Sequence, residues 1–144
     1  MPVVVAMRGR RAPALARRLA TTGRRLLAAL EEREAELSLV LVSDPVMRTL
    51  NRTWRGKDRA TDVLAFAQRE GRGCAPDGLL GDVVISIDTA RRQADARGHS
   101  LGVEGDRLLV HGLLHLLGYD HERSLGEARR MARKERALLR AIAS

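Results

Sequence analysis

The feature that most restricts the fold of this chain is a helix-length run that is apolar nearly all round. Leu108, Leu109, Val110, Leu113, Leu114, Leu116 and Leu117 surround only His111, Gly112 and His115. A helix without a polar face has to be covered on every side, so it belongs at the centre of a domain. The other elements must wrap it. Residues 3–7, 37–42, 63–67 and 82–88 read as strands, and 13–36, 45–51, 89–97, 103–118 and 124–142 as helices. Pro13 opens the first helix, Asp44 caps the second and Gly98 ends the third; Ser124 and Glu127 have capping-box spacing. Glu104 and Asp106 fall in the first turn of the central helix, where the dipole favours them. Residues 68–81, with four glycines and Pro76, form a loop long enough to be mobile or functional. Strands and helices mix without strict alternation. The expected fold is therefore α+β: one domain over residues 1–144, a mixed four-stranded sheet packed with helices around the histidine-bearing helix.

Composition narrows the function classes. Cys74 is the only cysteine, which excludes an internal disulfide and a zinc site built on several thiolates. No apolar run approaches the ~20 residues of a membrane span. The first residues lack the length and charge order of a secretory signal, so a cytoplasmic location is expected and no membrane partner. The net charge is +8, and arginine supplies all the cations but Lys57 and Lys134. That surplus sits in residues 1–36, 44–62 and 120–144, and guanidinium forks suit phosphate, so a polyanionic partner is expected. Aromatic residues make up 2% of the chain, namely Trp54, Phe66 and Tyr119, which argues against an aromatic platform for stacked bases.

Three of the four histidines fall within eleven residues: His111, His115 and His121. The first two lie four apart on the central helix, hence on one face. Gly118 can end that helix in a left-handed conformation and return the chain so that His121 meets the other two. Three neutral imidazoles with a fourth position open are the layout of a catalytic zinc site, and the same donors also take nickel, copper or iron. The spacing H-x-x-x-H-x-x-G-x-x-H is also that of the metzincin proteases. Those enzymes carry a glutamate as general base after the first histidine, whereas this chain has Gly112, which transfers no proton. His99 reads as an ordinary satisfied histidine. Asp120 either orients an imidazole or caps the turn; Asp62 and Asp82 read as turn formers at strand starts, and Tyr119 as packing.

The segment His111-Gly112-x-x-His115-Leu116-x-Gly118-Tyr119-Asp120-His121 resembles the signature of the YbeY family, bacterial endoribonucleases and ribosomal RNA maturation factors. Leu50-Asn51-Arg52-Thr53-Trp54-Arg55-Gly56-Lys57-Asp58 is similar to a second family segment. Thr61 to Phe66, the run from Leu80 to Ser86, and Met131, Glu135 and Leu138 follow in order. Ala65 and Ala67 depart from the serine and proline usual there. The resemblance implies one zinc per chain on His111, His115 and His121, and an arginine at Arg55 needed for activity. It further implies processing of ribosomal RNA, notably the small-subunit 3′ end, and ribosome quality control.

Zinc on three neutral imidazoles keeps its full charge and brings water to a pKa near ~7 or polarises a phosphoryl oxygen. Cutting RNA then needs a cation on the scissile phosphate, for which Arg55 is the candidate, with Lys57 and Arg59 beside it as RNA contacts. The expected partner is RNA of the small ribosomal subunit rather than DNA. Two rival readings stand: a zinc metallopeptidase, and a non-catalytic RNA- or ribosome-binding module whose structural zinc takes Cys74 as fourth ligand.

Overall fold

In the computed structural model, which describes residues 3–68 and 78–143, the elements alternate irregularly. They run β1 (Val3–Arg8), α1 (Pro13–Ala29), β2 (Glu36–Val42), α2 (Asp44–Arg55), β3 (Val63–Ala67), β4 (Leu79–Ser86), α3 (Ile87–Arg97), α4 (Leu101–Leu116) and α5 (Leu125–Ala143). Among the described residues, serine starts four of the five helices. The hydroxyls of Ser43, Ser86, Ser100 and Ser124 accept the backbone N–H three residues on, each satisfying a donor the helix itself leaves open.

These caps account for most shifts from the expected boundaries. Ser43 rather than Asp44 caps α2, and Asp44 lies inside its first turn. The helix runs past residue 51 to Arg55 because nothing stops it before Gly56, whose φ of +70° closes it in the left-handed region. Ser86 caps α3, so Ile87 and Asp88 join that helix and β4 ends at Ser86 rather than 88. Ser100 likewise starts α4 at Leu101 rather than 103. The first helix stops at Ala29 rather than 36. Residues 31–34 are Glu-Glu-Arg-Glu and bring no apolar face to pack, which is what sustains a helix in a protein. β4 begins at Leu79, earlier than the expected residue 82. Cys74 and most of the expected 68–81 loop lie outside the described residues.

The sheet has the order β1-β2-β4-β3, with β1, β2 and β4 parallel and β3 antiparallel on the edge, so it is mixed and four-stranded as expected. Leu39 pairs with Val83 and Leu41 with Ile85, and these face the larger core together with Leu37. An irregularity after Glu36 turns Leu80 to that same side. The alternate residues Val42, Val84 and Leu64 pack with Met47 of α2 on the other face. Ala65 and Ala67 sit in a regular ladder: Ala67 opposes Gly81, and the Gln68 N–H donates to the Leu80 carbonyl at 2.9 Å.

α4 lies on the larger core face, with α1, α3 and α5 around it. Leu108, Leu109, Val110, Leu113, Leu114 and Leu116 are all buried. Burying each such side chain stabilises the fold by ~1.5–3 kcal/mol. The helix that carries two histidines is thus firmly anchored in the core. Among the described residues no helix is long and apolar enough to cross a membrane.

Candidate metal centre

The C-terminal end of α4 builds the site. His111 and His115 project from successive turns, their rings 4.8 Å apart between centroids. Past Leu116 the chain reverses: the Gly118 and Tyr119 N–H groups donate back to the carbonyls of His115 and Leu114, both at 3.0 Å. Gly118 has φ +97°, a value that a side chain would strain. The reversal returns His121 to 5.3 Å from each of the other two rings. Asp120 caps this turn, accepting the Glu122 N–H at 2.9 Å, which is one of the two roles left open by the sequence.

One ring nitrogen from each histidine lies within 4.8 Å of the others, so the three could hold a metal ion. The Nε2 atoms of His111 and His115 are 3.2 Å apart. Tetrahedral zinc at 2.0–2.1 Å from nitrogen places two ligands ~3.3 Å apart, so this pair already has a fitting separation. Burial, and then the nearby His111 and His121, push the His115 pKa down and favour the neutral ring whose lone pair a metal needs.

Glu135 of α5 sits behind the site, its Oε1 2.6 Å from His111 Nδ1. A proton held on Nδ1 by that carboxylate leaves the Nε2 lone pair facing His115. In the sequence Glu135 stands out only as part of a matching helix, and its contact with His111 is not seen there. A signal was present: Glu135 is a carboxylate in the inward stripe of α5, four residues after buried Met131 and three before buried Leu138.

The histidines open on a cleft of about 900 Å³ that Arg55, Lys57 and Arg59 also line. Asn51, itself buried, shapes that part of the lining. Its side-chain amide donates to the Arg59 carbonyl at 2.9 Å, and its own carbonyl accepts the Lys57 N–H at 3.2 Å. Arg55 Nη2 donates to the Ala65 carbonyl at 2.6 Å, and its guanidinium lies 5.0 Å from the centre of the Phe66 ring. The arginine is therefore held by β3 while its side chain remains exposed at the cleft.

The other residues singled out by sequence sort readily. Gly112 has no space for a side chain: a Cβ there would stand 2.7 Å from a Val83 methyl. The position where the metzincin pattern carries its base is thus pressed against the sheet. His99 is 2.6 Å from buried Glu104, the satisfied contact expected of it. Asp62 accepts the Val63 N–H at 2.8 Å and a Gln93 side-chain N–H at 3.2 Å, tying the start of β3 to α3. Asp82 lies inside β4, not at its start. Tyr119 packs under the Arg130 guanidinium, 4.6 Å from the ring centre.

The family model for endoribonuclease YbeY matches residues 11–143. A protein named endoribonuclease YbeY from Anaeromyxobacter sp. (strain Fw109-5) is 59% identical over 134 residues, 93% of this chain and 67% of that protein. Its namesake from Myxococcus xanthus is 54% identical over 125 residues, 86% of this chain, of which this chain spans only 42%. The namesake from Geobacter metallireducens is 46% identical over 140 residues, 96% of this chain and 93% of that protein. The solution structure of TM1509 from Thermotoga maritima shares the fold, with a TM-score of 0.66 at 23% identity, covering 96% of this chain and 89% of that one. With a family match over nearly its whole length, this chain belongs to the YbeY endoribonuclease family.

Proposed function

We propose that this chain is a zinc-dependent endoribonuclease of the cytoplasm that cuts single-stranded RNA in ribosomal RNA maturation, at the small-subunit 3′ end, and in ribosome quality control. The observation that carries the reading is the convergence of three imidazoles in a cleft that Arg55, Lys57 and Arg59 also line. His111, His115 and His121 would hold one zinc, with Glu135 orienting His111. When bound, zinc supplies Lewis-acid charge that acidifies water and polarises phosphoryl oxygens. Arg55 grips the scissile phosphate and offsets the negative charge that builds on it, while Lys57 and Arg59 bind flanking phosphates. The bond from Arg55 to the Ala65 carbonyl limits the orientations of the guanidinium before RNA arrives.

The metallopeptidase reading is disfavoured by the close approach of Gly112 to Val83, which leaves no room for a base. The experiment is incubation of zinc-loaded protein with ribosomal RNA, with a chelator and the His115→Ala variant as controls. Cleavage should fall by ~10³-fold or more in both controls, since a metal contributes several kcal/mol of transition-state stabilisation. Arg55→Ala should lose cleavage with zinc content unchanged, and the slope of log affinity against log salt should drop by ~1. Chelator-sensitive peptide hydrolysis without RNA cleavage would sink the reading.

A further inference from the structure

We propose that Trp54 is a stacking site for one unpaired nucleobase of an RNA strand entering the cleft, an inference that rests on the RNA-cutting reading and adds to it what the bases meet. Trp54 is the only tryptophan of the chain and stands in the last turn of α2, next to Arg55. It is 67% exposed, the highest value among the large apolar side chains of the described residues. Its ring meets Phe66 edge to face, with centroids 6.4 Å apart and planes at 69°. Phe66 in turn lines the cleft and carries the Arg55 guanidinium near its ring. Phe66 therefore contacts both the indole and the arginine. Among the described residues no further ring or guanidinium stacks on Trp54, so most of the indole surface faces solvent.

The last turn of α2 thus presents a phosphate-binding fork that lines the cleft and, on the residue before it, a free π surface, both in contact with the cleft-lining Phe66. That pairing matches one nucleotide, which offers an anionic phosphate and a flat base. A base inside an A-form duplex has both faces covered by its neighbours, so only an unpaired one can stack here. The stacking site thereby gives the chain a means of preferring single strands. The low aromatic content argues against a platform of several rings, but one base needs only one exposed ring.

Trp54 reports its own test, because it is the sole indole. Its emission is followed with the metal-loaded full chain before turnover, and again with chelator. The titrants are a single-stranded oligoribonucleotide, the same sequence as a duplex, and inorganic polyphosphate. The single strand should change the emission at phosphate concentrations where the other two do not. By anisotropy of a labelled strand, Trp54→Ala should bind about 5- to 150-fold more weakly, and Trp54→Phe should recover most of the loss. The inference is overturned if polyphosphate or duplex alters the emission equally, or if Trp54→Ala binds like wild type. It is also overturned if emission varies with protein concentration alone, which would assign the surface to a second copy of the chain. Failure of the underlying reading looks different: single strands would still change Trp54 emission while no RNA is cut.

Discussion

Two histidine–carboxylate pairs flank α4, and their contact distances are equal. His99 Nε2 is 2.6 Å from Glu104 Oε1 at the N-terminal end, and His111 Nδ1 is 2.6 Å from Glu135 Oε1 near the other. Their surroundings differ. The Glu104 side chain has no exposed surface, and Arg107 Nη2 and Nε donate to its Oε2 at 2.5 and 3.2 Å, with Arg97 Nε 3.7 Å from Oε1. Burial pushes the Glu104 pKa up, but the bonds from Arg107 and His99 outweigh it and hold the carboxyl below its ordinary value. Glu135 is partly exposed, and the second nitrogen of His111 faces His115. A short histidine–carboxylate contact therefore does not announce a role. At Glu104 the carboxylate is saturated and locks α4 to the loop before it. At Glu135 the pair leaves the His111 Nε2 lone pair facing His115 in the cleft.

The contrast can be broken by exchanging its outcomes. The largest effect is expected for Glu104→Ala, which leaves Arg107 without its buried partner and should cost ~3–5 kcal/mol of unfolding free energy. Denaturant midpoints measure it, and zinc content should stay at the wild-type level. A Glu104→Ala protein that keeps its stability and loses zinc would erase the distinction. Next, Glu135→Gln removes the charge behind His111 and should lower zinc affinity by ~10–100-fold in a chelator competition, with little change in the midpoint. A large midpoint drop with affinity intact would make Glu135 a second structural carboxylate.

The smallest effect is on pH dependence. Because the Glu104 pKa is lowered on folding, the unfolded chain binds more protons in that range. Its contribution is complete above the ordinary value of 4.5 and is lost as pH falls toward the lowered native value. Glu104→Gln should flatten that part of the stability profile. A wild-type profile already flat below pH 4.5 would show that the Arg107, Arg97 and His99 contacts do not act together as described.

Much of the site was legible because its signals are local. The two histidines share a helix face by periodicity alone, and Gly118 stands where a left-handed turn is needed. The β3 boundaries were also readable, since residues 63–67 are a short apolar run between a polar loop and a glycine-rich stretch of sequence. Capping serines were the main source of displaced boundaries: Ser43, Ser86 and Ser100 each compete with a neighbour that is also a plausible start. Glu135 escaped as a partner of His111 because the two are 24 residues apart and meet only when α5 docks on α4.

By itself, then, the sequence determined that a helix apolar nearly all round lies at the centre, that three imidazoles can meet at its end, and that the catalytic glutamate of a metzincin is missing. Those are consequences of spacing and residue type, which act over a few turns of chain. Only the tertiary structure decided why a base cannot stand at residue 112, where Val83 of β4 closes the space. It alone placed a carboxylate behind His111, and brought Arg55 and Trp54 into contact with one phenylalanine. Such contacts join residues from different elements, and their geometry exists only once the sheet and the helices have packed.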